Sequence, residues 1–365
     1  MNKLRQKMMS SLKSSETEDW LDYRVVRPLS YLWALLFEKL DIHPNTVTIM
    51  SMIIGAGSAY LYASPSFYYG GVNGLVLNLI AVLLLLWADI FDCCDGQLAR
   101  MTGKKSQMGR ILDGMAGFVW FIPIYLAIVY RFYYHHDIEF GWFGIENTEV
   151  NTQIATAIVF VLALISGFTG MGGQQRLADY YIQVHLYFLK GEKGSELDNS
   201  VAQQKKYDET PWKGNVIWKY FLKTYVDYTK KQEETTPQFQ RLMKVLKEKY
   251  GDVSEIPMRV REEILYNSRK VMPWNAALTF NFRTAFFWMF CLCDIPAWNF
   301  VWEILGMGLL WAYTRYRHEK FCKKIADSLL RAPLAWAPTG AQELLNPLNF
   351  RTLDPINYDL DKTTT

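Results

Sequence analysis

Four aspartates lie close together in the stretch DIFDCCDGQLARMTGKKSQMGRILDGMAG, residues 89–117. Asp92 and Asp95 are three residues apart, so on a helix both side chains point to the same face. Asp113 begins the next apolar segment, and a short hairpin between the segments brings it back towards the first two. Clustered carboxylates repel one another unless a cation neutralises them, and hard oxygen ligands suit Mg²⁺, Mn²⁺ or Ca²⁺. The stretch therefore predicts a divalent metal site, and Mg²⁺ usually accompanies substrate phosphates.

Small and basic residues are interspersed among these aspartates. Gly96, Ala99 and Gly109 allow a bulky ligand to approach the helix backbones, and Arg100 supplies positive charge for phosphate oxygens. The alternative interpretation is a charged loop at a membrane surface, with glycines marking a hairpin. Taken one residue at a time, that alternative is favoured, whereas the complete spacing favours a phosphate-binding site.

Apolar helices must position these residues. A helix needs about 20 apolar residues to cross a hydrocarbon core of roughly 30 Å. The predicted spans are residues 47–67, 71–87, 115–130, 154–171, 276–292 and 296–312. The last two are weaker because Arg283 lies in one and Glu303 in the other. The alternative for each segment is a buried core helix.

The overall composition hides this pattern. The chain has 365 residues, of which 50% are hydrophobic, and its net charge is only +3. The mean hydropathy of −0.03 averages apolar spans with heavily charged segments. So small a net charge predicts no nucleic-acid partner. The five cysteines have neither metal-ligand spacing nor the pattern of a secreted disulfide framework.

We predict an all-α fold: a polytopic integral membrane helical bundle of about six transmembrane helices, with cytoplasmic amphipathic helices. The predicted regions are an N-terminal interfacial segment (1–46), a transmembrane catalytic core (47–189), a cytoplasmic helical insertion (190–272), C-terminal transmembrane helices (273–330) and an irregular tail (331–365). Residues 28–40 are apolar on one face but too short to cross, so an interfacial helix is expected there. WKYFLKTYVDYTKK and FQRLMKVLKEKY predict amphipathic helices in the insertion.

The distribution of Lys and Arg predicts the orientation. Positive residues concentrate before the first span, in the loop between the second and third spans, in the insertion and after the last span. Residues 67–71 have none, and residues 131–151 have only Arg131. We therefore expect both termini and the active site at the cytoplasmic face.

The spacing D-x2-D-G-x2-A-R-x8-G-x3-D resembles the motif of the CDP-alcohol phosphatidyltransferases. Its positions are met by Asp92, Asp95, Gly96, Ala99, Arg100, Gly109 and Asp113. Upstream, HPNTVTIMSMIIG is similar to the start of that family's first helix, and the resemblance covers residues 40–185. The insertion has no match in the common core.

The resemblance implies a six-helix membrane enzyme of phospholipid biosynthesis. Such enzymes transfer the phosphoryl-containing group of CDP-diacylglycerol or another CDP-alcohol to an acceptor hydroxyl and release CMP. It implies that Asp92, Asp95 and Asp113 hold the metal, Mg²⁺ or Mn²⁺. The residues implied at the CDP site are Asn45, Thr48, Gly96, Ala99, Arg100 and Gly109. Membrane lipids are expected partners, and a homodimer is left open.

The sequence departs from the family pattern at Gly117, where the family has a fourth aspartate proposed as general base. A missing base costs about 10²–10⁴-fold in rate. Asp89, one turn before Asp92, is one candidate for compensation. Alternatively, the acceptor needs no protein base, or the chain is a weakened or inactive relative that binds CDP-lipids as a scaffold.

The acceptor is not identified by any motif. Arg176 and Arg283 are candidate acceptor-binding cations, and they favour an anionic acceptor, with inositol or inositol phosphate ranked first. The alternative for Arg283 is a snorkelling side chain. A membrane prenyltransferase also binds diphosphate through metal and aspartates, but those enzymes place two Asp-rich motifs on well-separated helices, and only one is evident here.

Overall fold

The computed structural model describes Met8, Ser14 and residues 16–331, and every regular element of that part of the chain is helical. The helices are α1 (Arg27–Lys39), α2 (Pro44–Tyr62), α3 (Phe67–Thr102), α4 (Gln107–Tyr134), α5 (Asp137–Phe143), α6 (Glu149–Thr169), α7 (Arg176–Lys190), α8 (Ser200–Glu209), α9 (Val216–Thr235), α10 (Pro237–Tyr250), α11 (Met258–Ala276), α12 (Phe280–Leu292), α13 (Trp298–Val301) and α14 (Met307–Arg331). The predicted all-α class is confirmed. From residue 332 onward, the predicted irregular tail lies outside the described residues.

Three helical stretches of the described chain are long and apolar enough to cross a membrane. They are Phe67–Thr102, Met108–Tyr134 and Glu149–Lys190, the last joining α6 to α7 through a π-helical segment. They contain the second, third and fourth predicted spans, so a helical membrane bundle is confirmed. The other predicted spans overlap helices α2, α12 and α13–α14, although α2 already ends at Tyr62 and α12 begins only at Phe280. Six crossings remain a prediction.

Local signals fix the ends of the helices that carry the aspartates. Gly103 has a left-handed backbone (φ 72°) and ends α3, as glycine does without steric cost. Four residues later α4 begins, and the Ser106 hydroxyl caps it by accepting a hydrogen bond from the Gly109 N–H at 2.9 Å. At the start of α2, Pro44 occupies the first turn. The short hairpin predicted between the second and third spans is therefore present.

Helices α2, α3 and α4 pack together around one apolar core. Its buried side chains include Ala59, Leu85, Ala88, Trp120 and Ile124. Helix α3 is interrupted at Gly71 (φ 58°) and then runs on to Thr102. A helical rise of 1.5 Å per residue places Asp92 about 30 Å beyond Val72, which is the thickness of the hydrocarbon core. The aspartates of α3 therefore lie at one end of the bundle.

A second core joins the insertion to α7 and to the last described helix, α14. Its buried residues come from α7, α10, α11 and α14, and they include Phe239, Leu242, Ile264 and Ile325. The amphipathic helices predicted in the insertion are present as α9 and α10. Helix α14 begins within the sixth predicted span and continues to Arg331, so its second half packs on the insertion.

Candidate functional site

The aspartates of the motif come together where α3 ends and α4 begins. One carboxylate oxygen from each of Asp92, Asp95 and Asp113 lies within 4.8 Å of the other two. Asp92 Oδ1 is buried and has no hydrogen-bond partner among the described residues. Asp95 is buried, Asp92 is half-buried and Asp113 is exposed. Clustered carboxylates repel one another unless a positive charge offsets them, so this set of oxygen donors fits a divalent cation.

The start of α2 lies against this cluster. The buried Thr48 hydroxyl donates a hydrogen bond to Asp95 Oδ2, which fixes the direction of that carboxylate. Asn45, one turn earlier, lies against Gly109 of α4. A Cβ added at Gly109 would lie 2.9 Å from Asn45 Oδ1, so a larger residue there would displace the Asn45 side chain.

The remaining motif residues lie on α3 beside Asp95. The Arg100 guanidinium lies close to Gly96: a Cβ placed on Gly96 would be 3.2 Å from Arg100 Nη1. Ala99 is half-buried one turn after Asp95. The structure thus places the six predicted nucleotide-site residues on the helix ends that carry or contact the carboxylate cluster.

A cavity of about 280 Å³ opens beside the cluster and is lined by Asp92 and Asp113. Its lining includes Asp89, Asp92, Asp113 and Gly117, and none of the six predicted nucleotide-site residues is part of it. Asp89 is only 6% exposed, and its Oδ2 has no hydrogen-bond partner among the described residues. The family's missing aspartate position and its predicted substitute therefore share one cavity.

The insertion closes over this cavity, which sequence patterns did not predict. Arg110 Nη1 of α4 lies 2.9 Å from Asp198 Oδ2, and the Tyr225 hydroxyl donates to the same oxygen at 2.5 Å. Burial raises the pKa of the Tyr228 phenol, so that group stays protonated. The sequence does show two tyrosines three residues apart on a charged helix, but it does not show which distant residues their hydroxyl groups would contact.

The two candidate acceptor-binding arginines have different locations. Arg176 begins α7 and lines the cavity. Arg283 does not: its Nη1 lies 3.0 Å from Glu303 Oε1, and its Nη2 donates to Gln174 Oε1 at 2.8 Å. Arg283 therefore lies outside the cavity lining with its charge paired inside the bundle, and we do not assign it to the acceptor in this cavity. The snorkelling alternative is wrong, since the residue is 1% exposed.

Comparisons with known proteins place the motif in a family match. Residues 41–167 match the family described as CDP-alcohol phosphatidyltransferase. A protein of Aquifex aeolicus (strain VF5), described as uncharacterized, is 35% identical over 78 residues, which are 21% of this chain and 34% of that protein. The chain thus spans about a third of the length of the curated relative that it matches. No solved structure matches the chain.

Proposed function

We propose that the protein is a phosphotransferase of the EC 2.7.8 type in phospholipid biosynthesis, because residues 41–167 match the CDP-alcohol phosphatidyltransferase family and three helical stretches are long and apolar enough to cross a membrane. It transfers a phosphatidyl or phosphoalcohol group from CDP-diacylglycerol or another CDP-alcohol to an acceptor hydroxyl and releases CMP. One observation carries the proposal: the three motif aspartates converge within 4.8 Å at the edge of a cavity.

The donor binds on the side of the cluster formed by the starts of α2 and α4 and the end of α3. There the Arg100 guanidinium offers charge to phosphate oxygens, as a planar fork of donors suits them. Thr48 keeps Asp95 oriented. The residues assigned to the nucleotide are Asn45, Thr48, Gly96, Ala99, Arg100 and Gly109.

Asp92, Asp95 and Asp113 hold Mg²⁺ or Mn²⁺. A bound divalent ion offsets the diphosphate charge and stabilises the CMP leaving group. The role of the three side chains is to present carboxylate oxygens in a fixed arrangement, because each belongs to a helix whose end is capped or closely packed.

Asp89 is the general base. It accepts the proton of the acceptor hydroxyl, whose oxygen forms the new bond to phosphorus while the bond from phosphorus to the CMP oxygen breaks. Its position supports this role, because Asp89 lines the same cavity as Gly117, the position at which the family has its fourth aspartate. Asp113 contributes to the chemistry as a metal ligand.

The acceptor enters from the cytoplasmic face and occupies the cavity beside Arg176. A polyol, inositol or inositol phosphate, is the acceptor class that we propose. Hydroxyl, amide and carboxylate groups of the cavity lining offer such an acceptor several hydrogen bonds.

The test uses purified protein in detergent with CDP-diacylglycerol, Mg²⁺ or Mn²⁺ and a panel of labelled acceptors. We expect release of CMP that depends on both the divalent ion and one acceptor. The second candidate function is an inactive CDP-lipid-binding scaffold, which Gly117 favours. Binding of CMP without CMP release in the presence of any acceptor would support the scaffold and overturn the enzyme.

A further inference from the structure

We infer that the insertion forms the acceptor-selecting wall of the active site, and that this wall selects an uncharged alcohol over a phosphorylated one. The inference rests on the proposed function and deepens it. The insertion wall is defined here by the polar cavity-lining residues Glu196, Asp198, Thr224, Tyr225, Tyr228 and Gln232.

The insertion wall faces the carboxylate cluster across the cavity. The predicted nucleotide-site residues lie outside the cavity lining, so the space between cluster and wall is left for the other substrate. Helix α9 supplies most of the wall, and the stacked rings of Tyr225 and Tyr228 (centroids 6.2 Å apart, 11° between planes) give it a rigid surface.

Hydrogen bonds fasten the insertion wall to the transmembrane helices. Asp198 holds Arg110, which lies one turn before the metal ligand Asp113 on α4. The Tyr228 hydroxyl donates to Asp179 Oδ2 of α7 at 3.3 Å, and Gln232 Nε2 donates to the Arg176 carbonyl at 3.3 Å. The wall is therefore positioned by the same helices that carry the site.

The charges of this part of the cavity disfavour an anionic acceptor. Outside the motif, four carboxylates (Asp89, Asp179, Glu196 and Asp198) and two guanidiniums (Arg110 and Arg176) line it, which gives a net charge of −2. Arg110 is also paired with Asp198. A phosphate monoester carries about −1.5 to −2 at pH 7 and would be repelled, whereas an uncharged alcohol is not.

The experiment compares inositol with inositol phosphate as acceptors for CDP-diacylglycerol in the full-length protein. We expect the wild type to have a kcat/KM at least about tenfold higher for inositol. Tyr228→Phe removes one hydroxyl and should raise the acceptor KM about fivefold or more while leaving the donor KM unchanged. The matched control is Tyr220→Phe on the same helix, whose ring is 67% exposed and outside the cavity lining; both KM values should stay unchanged.

A second variant tests the charge argument. Asp198→Asn removes one negative charge and leaves Arg110 with only its 3.9 Å ion pair to Glu196, so the preference for inositol over inositol phosphate should fall about tenfold. A thermal shift by CMP with Mg²⁺ reports the donor site independently of turnover and should be the same in all variants.

The outcomes separate the two proposals. If the wild type releases CMP but neither variant changes the acceptor KM or the acceptor preference, the insertion wall does not select the acceptor and the inference is overturned. A wild-type preference for inositol phosphate would also overturn it. If the wild type binds CMP but releases none with any acceptor, the proposed function fails, and the inference fails with it.

Discussion

Arg283 Nη1 and Glu303 Oε1 lie 3.0 Å apart in the interior of the bundle, and neither residue is more than 1% exposed. The hydroxyls of Tyr125 and Ser166 both donate to Glu303. These are the two charges that make the last two spans weak predictions from hydropathy. Each charge supplies the partner that the other needs in an apolar environment.

Breaking this pair should destabilise the protein. Glu303→Gln leaves the Arg283 charge buried without a carboxylate, which costs about 3–5 kcal/mol. The apparent Tm in detergent should therefore fall clearly, while the exposed control Glu149→Gln should leave it unchanged. The double variant Arg283→Met with Glu303→Leu should recover much of the loss. A double variant less stable than Glu303→Gln alone would contradict the pairing argument.

Removal of a metal ligand should abolish turnover. Asp92→Asn and Asp95→Asn each replace a charged oxygen ligand by a neutral one, so CMP release should vanish and Mn²⁺ binding, followed by electron paramagnetic resonance, should weaken. Asp227→Asn, at an exposed position on α9, is the control and should behave as the wild type. Near-normal activity in both cluster variants would show that the cluster is not the reaction centre.

The position of the general base is tested by a pair of substitutions. Asp89→Asn should lower kcat about 10²-fold or more, with CDP-lipid affinity largely intact, because the diphosphate still meets the three metal-binding aspartates. Gly117→Asp restores the family pattern in the same cavity and should maintain or raise activity. If Asp89→Asn is silent and Gly117→Asp activates an inactive protein, the natural chain is a degenerate relative.

Topology is tested by cysteine labelling. In a background with the exposed Cys293 replaced by Ser, Glu146→Cys should react with an impermeant reagent from outside the cell. Lys213→Cys, in the insertion, should react only after permeabilisation. The reverse pattern would invert the proposed orientation and place the cavity on the outer face.

The buried carboxyl of Glu139, on the short helix α5, should make the stability of the protein depend on pH. Glu139 is 6% exposed, and burial raises its pKa from 4.5 to about 7. Between pH 4.5 and pH 7, Glu139 loses its proton in the unfolded chain but keeps it in the folded chain. The contribution of Glu139 to stability therefore declines as pH rises towards 7. The apparent Tm should fall less between pH 5 and pH 7.5 in Glu139→Gln than in the wild type. If the apparent Tm changes equally with pH in the wild type and in Glu139→Gln, the pH dependence comes from other groups.

The sequence by itself determined the local parts of this protein. Helical spacing places Asp92 and Asp95 on one face, and the short hairpin after Gly103 returns the chain to Asp113, so the cluster was predictable from a stretch of 22 residues. The apolar length of α3, α4 and α6 likewise predicted helices that suit a membrane. Both inferences depend on geometry within one or two neighbouring elements.

Tertiary structure alone decided which distant groups meet. Arg283 was assigned to an acceptor from its sequence position, but packing gave it Glu303 instead. The insertion matched no known core, yet Asp198 reaches Arg110 across 88 positions and closes the cavity. A charged side chain in an apolar or enclosed environment takes whichever partner the packing brings within reach, and that choice depends on how separate helices pack, which no local spacing encodes.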